Sequence, residues 1–162
     1  MKYAKVRDVK SPVRGTEKSA GIDFFIPSDF GKKIVRPGED ILIPSGIKAE
    51  LPEGYMLIAA EKSGVVTSKQ ACENIGRKPK AKAFSSIVII GAKIVDEDYQ
   101  GEIHIHLINV GNSAVTLVSD MKIAQFILVP VSYEELEECL EEELFEEVSD
   151  RGEGGFGSTD NK

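Results

Sequence analysis

No apolar run in this chain approaches the roughly 20 residues that a membrane-spanning helix needs, and the N-terminal stretch carries no apolar core of a secretory leader. Cysteine is scarce. Cys72 and Cys139 stand far apart, without metal-ligand spacing, and offer no disulfide framework. These absences together lead us to expect an intracellular, cytoplasmic protein with no membrane partner. Positive charge is also in deficit, with 20 Lys and Arg against 27 Asp and Glu, a net charge of −7. That balance argues against nucleic-acid binding as the main activity, although a local basic site can still hold a small anion. At 162 residues, 41% of them apolar, the chain is long enough for one domain with a proper core.

Taken in order, the chain reads as β-structure. Tyr3 to Val9 is compatible with an edge strand. Ser19 to Pro27 is a small-residue turn feeding a short apolar run, and Asp23 lies inside that run. A carboxylate among apolar neighbours is costly unless paired, so Asp23 is expected to have a partner. Residues 41–60 read as two strands set around the turn residues Pro44-Ser45-Gly46 and Leu51-Pro52-Glu53-Gly54. Tyr55 to Ala60 leads into Glu61-Lys62-Ser63-Gly64, where a cation, a hydroxyl and a glycine at a strand end make either a small anion site or a plain turn. Residues 69–82 hold Lys69, Arg77, Lys78, Lys80 and Lys82 against one acid, Glu73, and show no apolar period. They are expected to form an exposed basic excursion, and an unknown partner could meet the protein there.

Ile87 to Ile90 reads as a short buried run. Asp96 to Gly101 reads as a hairpin turn before Glu102 to Ile108, where Ile103, Ile105 and Leu107 share one face and His104 and His106 the other. Two histidines at this spacing can share a metal, but no third ligand is evident nearby. Val115 to Val118 and Lys122 to Val131 complete the strand pattern. From Tyr133 to Asp150 the chain turns acidic. Leu136, Leu140 and Leu144 recur at a helical spacing, while Phe145 to Val148 could equally form a last strand. Many short strands separated by Gly and Pro turns indicate an all-β barrel or sandwich.

The tail, Arg151-Gly152-Glu153-Gly154-Gly155-Phe156-Gly157-Ser158-Thr159-Asp160, places four glycines in six positions. Such a run suits neither helix nor strand. It lets backbone N–H groups turn toward an anion, and Arg151 adds a planar cationic fork. A single aromatic between glycines fits a clasp for a base with phosphates, and a disordered terminus is the alternative.

Five stretches in order resemble the motifs of the homotrimeric dUTPase family. They are Ala20-Gly21-Ile22-Asp23-Phe24, Lys62-Ser63-Gly64, Ile94-Val95-Asp96-Glu97-Asp98-Tyr99-Gln100-Gly101, Lys122-Ile123-Ala124-Gln125 and Arg151 through Ser158. The resemblance implies a jelly-roll-like β-barrel over residues 1–150 and a flexible glycine-rich arm over 151–162. Three chains would share three sites at subunit junctions. The implied reaction is hydrolysis of dUTP to dUMP and pyrophosphate, which limits uracil in DNA and supplies dUMP for dTMP synthesis.

By the same resemblance Asp96 is the general base, and Tyr99 packs under the deoxyribose and excludes a 2′-hydroxyl. The backbone from Ile90 through Ile94 and Val95 pairs with the uracil edge, and His104 is a further substrate contact. Lys62, Ser63, Gly64 and Gln125 hold phosphate oxygens, with Asp23 as support. Arg151, Gly154, Gly155, Phe156, Gly157 and Ser158 form the closing arm, Phe156 stacking on uracil. Mg²⁺ is the implied cofactor, held through phosphates and waters with no direct protein ligand assigned.

The chain also departs from the family pattern. Lys62 and Lys122 stand where arginines are usual, which keeps the charge and loses the fork. Met121 replaces an acid. Lys93 replaces a glycine, so a positive φ there would be strained. Residues 69–84 look inserted between the second and third motifs. Two other readings compete: the related dCTP deaminase, and a dUTPase-like binding or regulatory protein with little catalysis.

Overall fold

The computed structural model describes residues 1–62 and 88–154. Its backbone forms two compact units, Met1–Ser132 and Tyr133–Lys162. The basic stretch 69–84, Ser63, Gly64 and Gly155 through Ser158 lie outside the described residues. Among the described residues, no helix is long and apolar enough to cross a membrane.

Among its described residues the first unit is nearly all β, with one 3-10 turn at Ser28–Phe30. Its strands are β1 (Lys2–Lys5), β2 (Val13–Arg14), β3 (Gly21–Phe25), β4 (Lys33–Val35), β5 (Asp40–Pro44), β6 (Ile47–Glu50), β7 (Tyr55–Glu61), β8 (Val88–Ile90), β9 (Ile94–Val95), β10 (His104–Asn109), β11 (Val115–Leu117) and β12 (Lys122–Pro130). The largest sheet runs β2-β3-β12-β7-β9, a second runs β5-β10-β8, and β1-β6 and β4-β11 form two-stranded pairs. Pairing is antiparallel throughout. Neighbours such as β3 and β12 are far apart in sequence, so the chain crosses repeatedly between sheets, as a jelly-roll-like barrel requires.

Periodicity explains which side chains form the core. Along β10, Ile105 and Leu107 are fully buried, as the alternation predicts, with Ile103 just ahead of the strand. All five residues of β3 are buried, and the strand is interior to its sheet, between β2 and β12. Phe24 and Phe126 pack with ring centroids 4.4 Å apart and tilted by 45°, a favourable aromatic geometry. Ile26, Ile43, Leu57, Leu117 and Ile123 close the interior around them.

Several expectations are corrected. Residues 41–60 contribute to three strands, β5, β6 and β7. Pro44 to Gly46 does not close a hairpin, since β5 pairs with β10 and β6 with β1; it is a corner between sheets. Gly46 has φ 72°, and a Cβ there would meet Val9 Cγ1 at 2.8 Å, so both backbone and space call for glycine.

Residues 96–101 are likewise no hairpin turn. β9 pairs with β7 and β10 pairs with β5 and β8, so this segment joins two sheets. β8 and β9 also have different partners, so the backbone of residues 90–95, which the resemblance assigns to the uracil edge, passes from one sheet to another. β8 is buried on one face only, with Ile89 38% exposed. Among the described residues Asp120 is the non-glycine with positive φ, at 68°, so Lys93 carries no such strain.

In the second unit, residues 133–150 form neither the helix nor the strand considered. A single 3-10 turn covers Glu141–Glu143, and Leu136, Leu140 and Leu144 are exposed. A continuous helix would stack Glu134 on Glu138, Glu138 on Glu142 and Glu143 on Glu147, like charges one turn apart. That repulsion opposes the leucine spacing.

Candidate active site

The buried carboxylate has the partners its setting demands. In β3, Asp23 lies opposite Gln125 of β12, which lies opposite Ala60 of β7. Just past β7, Lys62 places Nζ 2.8 Å from Asp23 Oδ1, and Lys122 places Nζ 2.9 Å from Oδ2. Asp23 is only 4% exposed. Burial pushes its carboxyl up, but the hydrogen bonds and charges of the two lysines outweigh that and hold it below the ordinary carboxylate range.

The Lys122 ammonium also sits over the Phe25 ring, 5.5 Å from its centroid. Both lysine side chains stay partly exposed, so each keeps N–H donors for an incoming anion. Gln125 donates to the Glu61 carbonyl at 3.2 Å. A Cβ on Gly21 would run into Gln125 Oε1, which gives the glycine of the first motif a physical reason.

Glu61 ties this edge to the backbone just ahead of the third motif. Its carboxylate accepts from the Ile90 amide at 2.9 Å and from Lys93 Nζ at 3.0 Å. The Ile90 bond leads in holding its carboxyl below the usual range, against burial. Ile90 is therefore a core residue whose amide is already used, while Ile94 is well exposed and Val95 half-buried.

The turn after β9 gathers the rest of the third motif. The Tyr99 amide donates to the Asp96 carbonyl at 3.2 Å. Tyr99 Oη donates to the Glu102 carbonyl at 2.9 Å, and His104 Nδ1 lies 2.8 Å from the same oxygen. A carbonyl only accepts, so Nδ1 carries a proton and donates to it. Asp96, Tyr99 and His104 are exposed.

These two groups do not meet within one chain. Val95 lies opposite Leu57 near the start of β7, and Asp96 follows it, whereas Lys62 follows the last residue of β7. At strand rise the two ends of β7 are roughly 20 Å apart. In the second unit, Arg151 Nε donates to the Gly154 carbonyl at 2.7 Å, and the Gly154 amide returns to the Arg151 carbonyl at 3.1 Å. The guanidinium thus caps its own turn. Sequence reasoning missed Glu61 and Glu102 as organisers, because an acid at a strand end or in a turn has no local signature.

Residues 56–160 match the dUTPase family model. A deoxyuridine 5′-triphosphate nucleotidohydrolase of Clostridium acetobutylicum is 34% identical over 160 residues, covering 98% of this chain and 95% of the relative. The chain belongs to the dUTPase family. A Staphylococcus bacteriophage 80alpha dUTPase mutant with dUpNHpp superposes with a TM-score of 0.74 at 22% identity, over 98% of this chain and 96% of that one. A dUTPase mutant from phage phi11 of S. aureus, described with a structural Mg(II) ion, gives a TM-score of 0.64 at 18% identity, over 85% and 95%. Both establish the fold, the jelly-roll-like barrel of dUTPases.

Among the described residues no cluster of three or more His, Cys, Asp or Glu is placed to hold a metal. Asp23 is committed to two lysines.

Proposed function

We propose that this protein hydrolyses dUTP to dUMP and pyrophosphate at sites shared between chains of a homotrimer. The observation that carries this reading is the family match along nearly the whole chain, on a fold that groups Asp96, Tyr99 and His104 apart from Asp23, Lys62, Lys122 and Gln125. Each group is half a site. A second copy brings the Asp96 turn of one chain to the lysine edge of its neighbour.

In this mechanism uracil lies along the backbone of Ile94 and Val95, with Ile90 packed behind. Tyr99 underlies the deoxyribose and leaves no room for a 2′-hydroxyl, and His104 offers Nε2 to the substrate. Lys62, Ser63, Gly64 and Gln125 bind phosphate oxygens. Asp96 orients a water and takes its proton as the water oxygen bonds to the α-phosphorus. The bond from that phosphorus to the bridging oxygen breaks, and pyrophosphate leaves with the electron pair. Arg151, Gly154, Gly155, Phe156, Gly157 and Ser158 close over the site, exclude water and add charge as the transition state forms. When bound, Mg²⁺ neutralises charge on the phosphates.

Incubating the protein with dUTP, dCTP, UTP and dTTP in the presence of Mg²⁺, and resolving products by anion exchange, tests this reading. dUMP and pyrophosphate from dUTP alone are expected. Deamination of dCTP would indicate the deaminase reading, and no turnover a binding protein; the family match favours neither.

A further inference from the structure

Glu102 is the point to which the turn carrying Tyr99 is fastened. Its carbonyl accepts from both Tyr99 Oη and His104 Nδ1, at 2.9 and 2.8 Å, so both lone pairs are used. Its carboxylate is held from the other side. Arg7 approaches with Nε at 2.7 Å and Nη2 at 3.2 Å, a two-pronged contact, and the Gly46 amide donates to Oε1 at 2.8 Å.

Arg7 is itself fixed, because its Nη1 donates to Asp29 at 3.0 Å and its Cβ lies against Gly46, where an added Cβ would stand 3.2 Å from it. The Glu102 side chain is only 15% exposed. Burial opposes its charge, and the Arg7 and Gly46 bonds prevail and keep its carboxyl below the usual range. The Tyr99 ring folds back across Gly101, where a Cβ would strike the phenol oxygen. The ring thus rests against Gly101, with its hydroxyl on the Glu102 carbonyl.

We propose that Arg7 and Glu102 are positioning residues for sugar recognition: the Arg7 fork clamps the Glu102 carboxylate, and Glu102 in turn fixes Tyr99 and His104. The proposal rests on the reading that Tyr99 underlies the sugar and His104 contacts the substrate. Arg7 touches neither, nor any reacting atom, and acts only through Glu102. Loosening the clamp leaves the Tyr99 ring free to yield to a 2′-hydroxyl, so the first property lost is discrimination between dUTP and UTP.

The test compares wild type, Arg7→Ala, Arg7→Lys and Glu102→Gln. Glu102→Gln keeps an acceptor for the Gly46 amide and so preserves the corner if Arg7→Ala fails to fold. Two readouts are taken: the ratio of kcat/KM for dUTP over UTP, and hydrogen exchange of the Tyr99 amide. In Arg7→Ala and Glu102→Gln the ratio should fall about tenfold or more, and exchange should accelerate locally with the barrel amides unchanged. Arg7→Lys should recover part of the ratio. A purely structural role would lower activity on both nucleotides together and leave the ratio alone.

A wild-type ratio in a folded, active Arg7→Ala or Glu102→Gln protein overturns the proposal. Wild type that does not turn over dUTP would instead sink the functional reading, and the exchange data then decide the clamp alone. Faster exchange in 96–103 supports it, and unchanged exchange refutes it.

Discussion

Asp23 was legible as a residue in need of a partner, because a lone acid in an apolar run has no other way to remain charged. Its partners were not legible in the same way: Lys62 reaches it from just past β7 and Lys122 from β12, and no local pattern names them. The linkage has a definite sign. Its folded carboxyl titrates below the ordinary value, so its contribution to stability is complete above about pH 4 and is lost as pH falls through the folded value. Thermal melts from neutral to acid pH should therefore show wild type losing more stability than Asp23→Asn, which starts lower. Parallel curves for the two proteins would contradict the pairing account. Asp96 is a separate case, exposed at the surface, and its proposed work is chemical. Asp96→Asn should reduce kcat by about 10²–10⁴ with an unchanged melting temperature, and near wild-type turnover would show that another group is the base.

At the scale of elements, alternation alone placed Ile103, Ile105 and Leu107 correctly on the buried face, since side-chain direction along a strand is a local property. Pairing is not local, which is why residues 96–101 looked like a hairpin turn and proved to connect two sheets. The leucine spacing of 136–144 misled for another reason: the glutamates between those leucines repel one another in any helix that would use it. The close fit of β3 against β12 gives a further test. Gly21→Ala forces a methyl group into the space of the Gln125 side chain, and overpacking of this kind costs about 1–3 kcal/mol. Urea unfolding should show a loss of that size, accompanied by a raised KM as Gln125 shifts. Wild-type stability together with wild-type KM would mean that Gln125 moves aside at no cost.

For the whole molecule, the five motifs were readable in sequence, but the distance of about one strand-length between the third motif and the Asp23, Lys62 and Gln125 edge was not, because it follows from register. That distance makes assembly a requirement of the account. Removing residues 151–162 should leave the barrel folded and trimeric by light scattering and melt, while dUTP hydrolysis falls steeply; equal loss of stability would make the arm a structural strap. The most direct test mixes two variants. Asp96→Asn and Gln125→Ala, each nearly inactive alone, are unfolded together, reassembled at equal ratio and assayed for dUTP hydrolysis. If each site takes Asp96 from one chain and Gln125 from another, about a quarter of the sites in the mixture regain both groups by random assembly, and activity returns to about that fraction of wild type. Activity no greater than the mean of the two separate variants would place both residues in one chain's site and contradict the account.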